Sequence, residues 1–163
     1  VNTAQAEKMI QLVIEGLELD ESSIVADLYC GAGTFTLPLA QQCDFVYAVE
    51  SAASSVRDLR RNMERANLSN IEVIGGDSAR ELPTLGELDA LVVDPPRSGL
   101  AKGVTTSIAA TGAKRVAYVS CDPATWARDI ARFKNVGYKL IKATPVDLFP
   151  QTYHVETVSI LQR

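Results

Sequence analysis

Residues 24–40, IVADLYCGAGTFTLPLA, carry the clearest fold signal of the chain. Residues 24–29 read as a buried strand, Cys30-Gly31-Ala32-Gly33 as a tight turn, and the residues after it as a short helix. Glycines in that turn let the backbone approach a ligand closely, and the helix start offers free N–H groups. Dinucleotide-binding domains use a similar turn, but their fingerprint needs a third glycine where this chain has Thr36. A pyrophosphate ligand is therefore the poorer reading.

Outward from this turn, apolar β-rich runs alternate with amphipathic helical stretches, which predicts a parallel α/β sheet. Upstream, Met9, Ile10, Val13, Ile14 and Leu17 share one helical face. Downstream, Phe45–Glu50 reads as a second strand, followed by a helix over residues 52–66 that turns Val56, Leu59 and Met63 inward. Ile71–Gly75, residues 88–93 and Arg115–Ser120 are further strands, the latter two almost continuously apolar, as strands covered on both faces should be. A helix after Pro123 is expected to bury Trp126, Ala127, Ile130 and Ala131. Residues 138–147 and 154–161 have no helix between them and read as a terminal antiparallel pair. The predicted architecture is one α/β domain over residues 1–163.

Bulk properties narrow the class. The 163 residues are 47% hydrophobic and 22% charged, ordinary values for a globular domain. No apolar run approaches the roughly 20 residues that a membrane span requires, so no membrane partner is expected. The chain opens VNTAQAEKMI, without signal-peptide features or an initiator Met, and is expected to be a fragment or a processed chain. Sixteen basic against 20 acidic residues give a net charge of −4. That argues against strong nucleic-acid binding by this piece alone, because phosphate neutralisation supplies much of such affinity. Cys30, Cys43 and Cys121 are odd in number and scattered, forming neither a disulfide framework nor a zinc pattern. A reducing cytoplasm and no metal are expected.

Acidic residues mark the ends of successive strands. Glu50 closes the second strand, where a carboxylate can accept hydrogen bonds from both hydroxyls of an unphosphorylated ribose. Asp77 ends the third in Gly-Gly-Asp, where it could take the exocyclic amine of adenine or cap the segment after it. With Asp27 and the glycine turn, these positions form the carboxyl edge at which open α/β sheets bind ligands. The pattern resembles the class I S-adenosylmethionine methyltransferases, which implies a Rossmann-like, mostly parallel seven-stranded sheet with an antiparallel C-terminal strand and helices on both faces.

The fourth strand ends Val93-Asp94-Pro95-Pro96-Arg97. Such acid-Pro-Pro sequences resemble the catalytic loop of methyltransferases acting on a planar nitrogenous group, the prolines fixing the loop and holding Asp94 towards the pocket. Members of that group that methylate exocyclic amines usually follow the prolines with Tyr or Phe, and Arg97 departs from this. The next strand ends Ser120-Cys121-Asp122-Pro123, setting Cys121 at a strand end and a helix mouth, where a thiolate would be stabilised. Cys30 and Cys43 read instead as buried structural thiols. The final stretch, FPQTYHVETV, brings the single histidine, His154, beside Glu156. A lone histidine is more often structural, whereas a carboxylate flanked by valines in a strand calls for a purpose.

Together DLYCGAG, DPPRSG, VSCDPATWARD and FPQTYHVETV, in that order, resemble the RNA 5-methyluridine methyltransferases over nearly the whole chain. The resemblance implies Cys121 as nucleophile and Glu156 as base. It makes Asp27, Tyr29, Gly31, Gly33, Thr34, Glu50, Asp77 and Asp94 the contacts of S-adenosyl-L-methionine, and Asp94 and Arg97 contacts of the substrate. It implies a tRNA or rRNA partner, a monomer, and an N-terminal RNA-binding domain that these residues do not contain. Two rivals stand beside it: an exocyclic-amine methyltransferase, which needs no cysteine, and a non-catalytic cofactor- or RNA-binding module.

Overall fold

The computed structural model describes residues 2–163. Helix α1 (Thr3–Leu17) is capped by Asn2, whose side chain accepts the Gln5 N–H at 3.3 Å. It leads into β1 (Ile24–Leu28), α2 (Thr36–Ala40), β2 (Phe45–Glu50), α3 (Ala53–Ala66) and β3 (Ile71–Gly75). A short α4 (Ser78–Glu81) and a single 3-10 turn precede β4 (Ala90–Val93), α5 (Val104–Ala110), β5 (Arg115–Ser120) and α6 (Pro123–Asn135). Strands β6 (Lys139–Val146) and β7 (Glu156–Gln162) complete the chain.

All seven strands form one sheet in the order β3-β2-β1-β4-β5-β7-β6. The pairs from β3 to β5 are parallel, and β7 runs antiparallel to both β5 and β6. Alternation along each strand sorts the core into two layers. Val25, Val46, Ala48, Val92, Ala117 and Val119 pack beneath α1, α2 and α3. Leu28, Leu91, Val93, Val116 and Tyr118 pack against α5, α6 and the 3-10 turn on the other face. This doubly covered sheet is the expected one.

Several expected details are corrected. Strand β1 stops at Leu28, because Tyr29 takes a left-handed backbone with φ 59°. Strand β4 starts at Ala90, β6 spans Lys139–Val146, and β7 starts at Glu156 rather than at His154. The expected faces of α1 and α3 do hold: Met9, Val13 and Leu17 are buried, and Ile10, Ile14 and Met63 pack half-buried against the same core. In α6 the buried face is Asp129, Ile130 and Phe133, and Ala127 and Ala131 are exposed. The apolar reading placed the alanines inward because it had no reason to bury a charged residue. No described helix is long and apolar enough to cross a membrane.

Candidate active site

The sheet topology brings the sequence-marked residues to one edge. Glu50 ends β2, Asp94 follows β4 and Cys121 follows β5. Because β7 is antiparallel, its first residue, Glu156, comes to the edge where the parallel strands end. The β5–β7 ladder pairs Val119 with Val158 and Ser120 with Thr157, so its next step sets Cys121 opposite Glu156. Side-chain parity adds a second constraint. Asp27, Glu50, Asp94, Cys121 and Glu156 each continue the alternate positions that face the α1–α3 side.

Glu50 is held from two directions. Its Oε2 accepts the Gly31 N–H and its Oε1 the Ala52 N–H, each at 2.9 Å. The glycine turn is thereby tied to the end of β2. At Gly31 (φ 57°) a Cβ would meet nothing within 4 Å, which leaves an open space over the turn. Gly33 (φ 100°) is different, since a Cβ there would lie 2.5 Å from Leu59 Cδ1. Thr34 is exposed beside the same turn. The strained Tyr29 donates its N–H to Ser78 Oγ at 3.1 Å, a buried serine that the sequence reading did not single out.

Asp27 lies under this turn, fully buried. Its Oδ2 accepts the Thr36 hydroxyl at 2.6 Å, while Oδ1 has no hydrogen-bond partner among the described residues. Burial, with the nearby Glu50 charge, pushes its carboxyl up to about 7. Asp94 is partly covered, and burial followed by the charges of Glu156 and Asp27 pushes it up to about 8. Asp77 lies two residues beyond β3 and is exposed; its Oδ1 accepts the Arg80 N–H at 3.0 Å and caps α4.

The Cys121 thiol departs from expectation. A helix mouth was expected to lower it, yet burial and the Glu156 charge hold it above the ordinary thiol value, Asp94 adding to the effect. Arg97 opposes this, and Arg97 Nε lies 4.0 Å from Asp122 Oδ1. The mouth of α6 is occupied by Asp122, which accepts the Thr125 N–H at 2.9 Å, so the helix end is already paired with a carboxylate. Burial likewise raises Glu156, against the influence of His154, which is exposed. Cys30 is raised far more, by burial first and then by Asp27 and Glu50, and Cys43 to about 11 by burial, as inert structural thiols are. No metal-binding group of three or more His, Cys, Asp or Glu occurs among the described residues.

Four carboxylates and one thiol thus converge on a single edge of the sheet, beside an open glycine turn. The unpartnered Asp27 oxygen and the space at Gly31 fit a ligand that carries cationic and hydrogen-bond-donating groups.

The chain was compared with known proteins for family and fold. An uncharacterised RNA methyltransferase of Clostridium tetani is 39% identical over 99% of this chain and 36% of its own length. One of Streptococcus pyogenes serotype M18 is 41% identical over 99% of the chain and 36% of its own length. The chain therefore spans little more than a third of these relatives. The Pyrococcus abyssi tRNA (uracil-54, C5)-methyltransferase, solved with S-adenosyl-L-homocysteine, superposes with a TM-score of 0.78 at 34% identity, over 94% of this chain and 38% of that one. The model of the tRNA (uracil-5-)-methyltransferase family matches residues 1–163. The chain belongs to the tRNA (uracil-5-)-methyltransferase family.

Proposed function

We propose that this chain is the catalytic part of an S-adenosylmethionine-dependent enzyme that methylates C5 of a uridine in tRNA or rRNA. The observation that carries the proposal is the meeting of Cys121 and Glu156 across the ends of β5 and β7, on the sheet face that also carries Asp27, Glu50 and Asp94. Glu50 accepts the ribose hydroxyls, and Asp77 and Tyr29 border the adenine. Gly31, Gly33 and Thr34 line the turn over the nucleoside. Asp27 and Asp94 face the cationic end of the cofactor. When bound, S-adenosylmethionine supplies an electrophilic methyl group.

Uracil C5 is too weak a carbon nucleophile to take that methyl unaided. The Cys121 thiolate adds to C6, and the electron pair of the C5–C6 double bond is drawn towards the C4 carbonyl, leaving C5 enolate-like. C5 would then form its bond to the methyl carbon as the methyl–sulfur bond breaks, the electron pair staying on the sulfur. Glu156 removes the C5 proton, the double bond reforms, and the C6–S bond breaks to return Cys121. Burial makes Glu156 a stronger base than an exposed carboxylate. Arg97 favours the thiolate and contacts the substrate, while Asp94 orients the base.

The net charge of −4 supports a reading in which a further RNA-binding domain supplies much of the affinity, in a protein read here as a cytoplasmic monomer. The target uridine leaves its stack to enter the site. Nucleoside mass spectrometry of tRNA and rRNA from a strain lacking the gene tests the reaction. Loss of 5-methyluridine at one position is expected. An unchanged 5-methyluridine content accompanied by loss of an N-methylated base would instead favour exocyclic-amine methylation.

A further inference from the structure

Asp129 sits in the middle of α6, 0% exposed, with both carboxylate oxygens occupied. Its Oδ2 accepts the Tyr118 hydroxyl at 2.6 Å and the Leu100 N–H at 3.0 Å. Its Oδ1 accepts from Arg128 at 3.1–3.2 Å and from Arg132 at 3.4 Å. The same guanidinium groups reach onward to the loop after β4. Arg128 Nη2 donates to the Ser98 carbonyl at 2.8 Å, and Arg132 Nη1 to the Leu100 carbonyl at 3.1 Å. Thr125 Oγ1, on the first turn of α6, donates to the Arg97 carbonyl at 3.1 Å. The fit is close, since a Cβ added at Gly99 would run into Thr125 and Asp129.

These bonds join two elements that carry different parts of the site. The loop brings Asp94 and Arg97, and α6 begins two residues after Cys121. Tyr118 belongs to the opposite core layer, so Asp129 itself lies away from the edge where Cys121 and Glu156 meet. Burying a carboxylate here costs solvation that an apolar residue would not, and in some proteins buried charge clusters are kept because they fix one arrangement. We propose that Asp129, with Arg128 and Arg132, is a positioning clamp that holds the loop of residues 94–100 against α6, and so sets Arg97 and Asp94 relative to Cys121. The proposal builds on the reading of Cys121 as the reacting thiol.

The charges facing Cys121 are Glu156 from β7, Asp94 and Arg97 from the clamped loop, and Asp122 beside it on its own segment. Of the two loop charges, Arg97, which favours the thiolate, outweighs Asp94, which opposes it. Loosening the loop therefore disfavours the thiolate.

The test is alkylation of the cofactor-free protein by iodoacetamide across a pH series, following Cys121 by peptide-resolved mass spectrometry. Arg128→Ala removes the bonds from its guanidinium to the Ser98 and Leu100 carbonyls and leaves Asp129 paired with Tyr118, the Leu100 N–H and Arg132. It is expected to move the Cys121 midpoint to higher pH, with Arg97→Ala moving it in the same direction and at least as far. The double variant should move it no further than Arg97→Ala alone, since both act through one group. Asp129→Asn, where folded, should reproduce Arg128→Ala. A folded Arg128→Ala protein whose profile superimposes on wild type overturns the clamp, as does full additivity in the double variant. Alkylation needs neither RNA nor S-adenosylmethionine, so this result stands apart from whether uridine is the substrate.

Discussion

Cys121 and Glu156 stand opposite one another one step beyond the Ser120–Thr157 pair of the β5–β7 ladder. A thiol and a carboxylate 35 positions apart in sequence are thus set by strand register, burial and then the carboxylate raising the thiol. Removing the Glu156 charge should ease ionisation of Cys121. In Glu156→Gln, the pH midpoint for alkylation of Cys121 is expected to fall below that of wild type. A midpoint that stays put would separate the two groups.

Glu50 holds the glycine turn through Gly31 and is the proposed ribose acceptor. Glu50→Ala should weaken S-adenosylmethionine binding by about 1.5–3 kcal/mol, the worth of hydrogen bonds to a charged acceptor. Calorimetry on the folded variant checks this, and an unchanged dissociation constant would remove Glu50 from the cofactor site.

The two turn glycines should respond differently to alanine. Gly33→Ala forces a Cβ to within 2.5 Å of Leu59 Cδ1, and should destabilise the fold by about 1–3 kcal/mol. Gly31→Ala meets open space, so its cost is confined to backbone strain of about 1 kcal/mol, but the methyl group enters the space proposed for the cofactor. Denaturant unfolding and cofactor titration of both variants should show Gly33→Ala as the greater loss of stability. Gly31→Ala should lose more cofactor affinity than its stability change explains.

Asp27 and Asp94, raised to about 7 and about 8, are bound more tightly to their protons in the folded chain than in the unfolded one. The stability that this linkage contributes is fully present below the ordinary value of 3.8, and is lost as pH rises through about 7 and about 8. Thermal unfolding of cofactor-free protein should show a lower midpoint at about pH 9 than at about pH 5, and a smaller fall in Asp94→Asn. An equal fall in wild type and variant would mean that Asp94 is not held protonated.

Much of this architecture was legible in the chain. Strands β2, β3 and β5 run over the residues expected from their apolar runs, because covered parallel strands leave little ambiguity of period. The edge carrying Glu50, Asp94 and Cys121 followed from strand ends alone. Asp129 did not, since an Arg-Asp pair inside an amphipathic helix reads as a solvated face, and only the fold brings Tyr118 and Leu100 to it. The sign of the Cys121 shift was also hidden. Local sequence shows the helix mouth, but not that Asp122 caps it or that Glu156 arrives from another strand.

Covalent trapping puts the proposed bond between Cys121 and C6 to the test. An RNA carrying 5-fluorouridine at the methylated position offers C6 to Cys121 but cannot release its C5 substituent as a proton. The full-length enzyme, given this RNA and S-adenosylmethionine, should form a protein–RNA complex that survives denaturation. Mass spectrometry should place the bond on Cys121 and a methyl group on the base, and Cys121→Ala should form no such complex. A Cys121→Ala protein that still yields the denaturation-resistant complex, or still makes 5-methyluridine in ordinary RNA, would contradict this account.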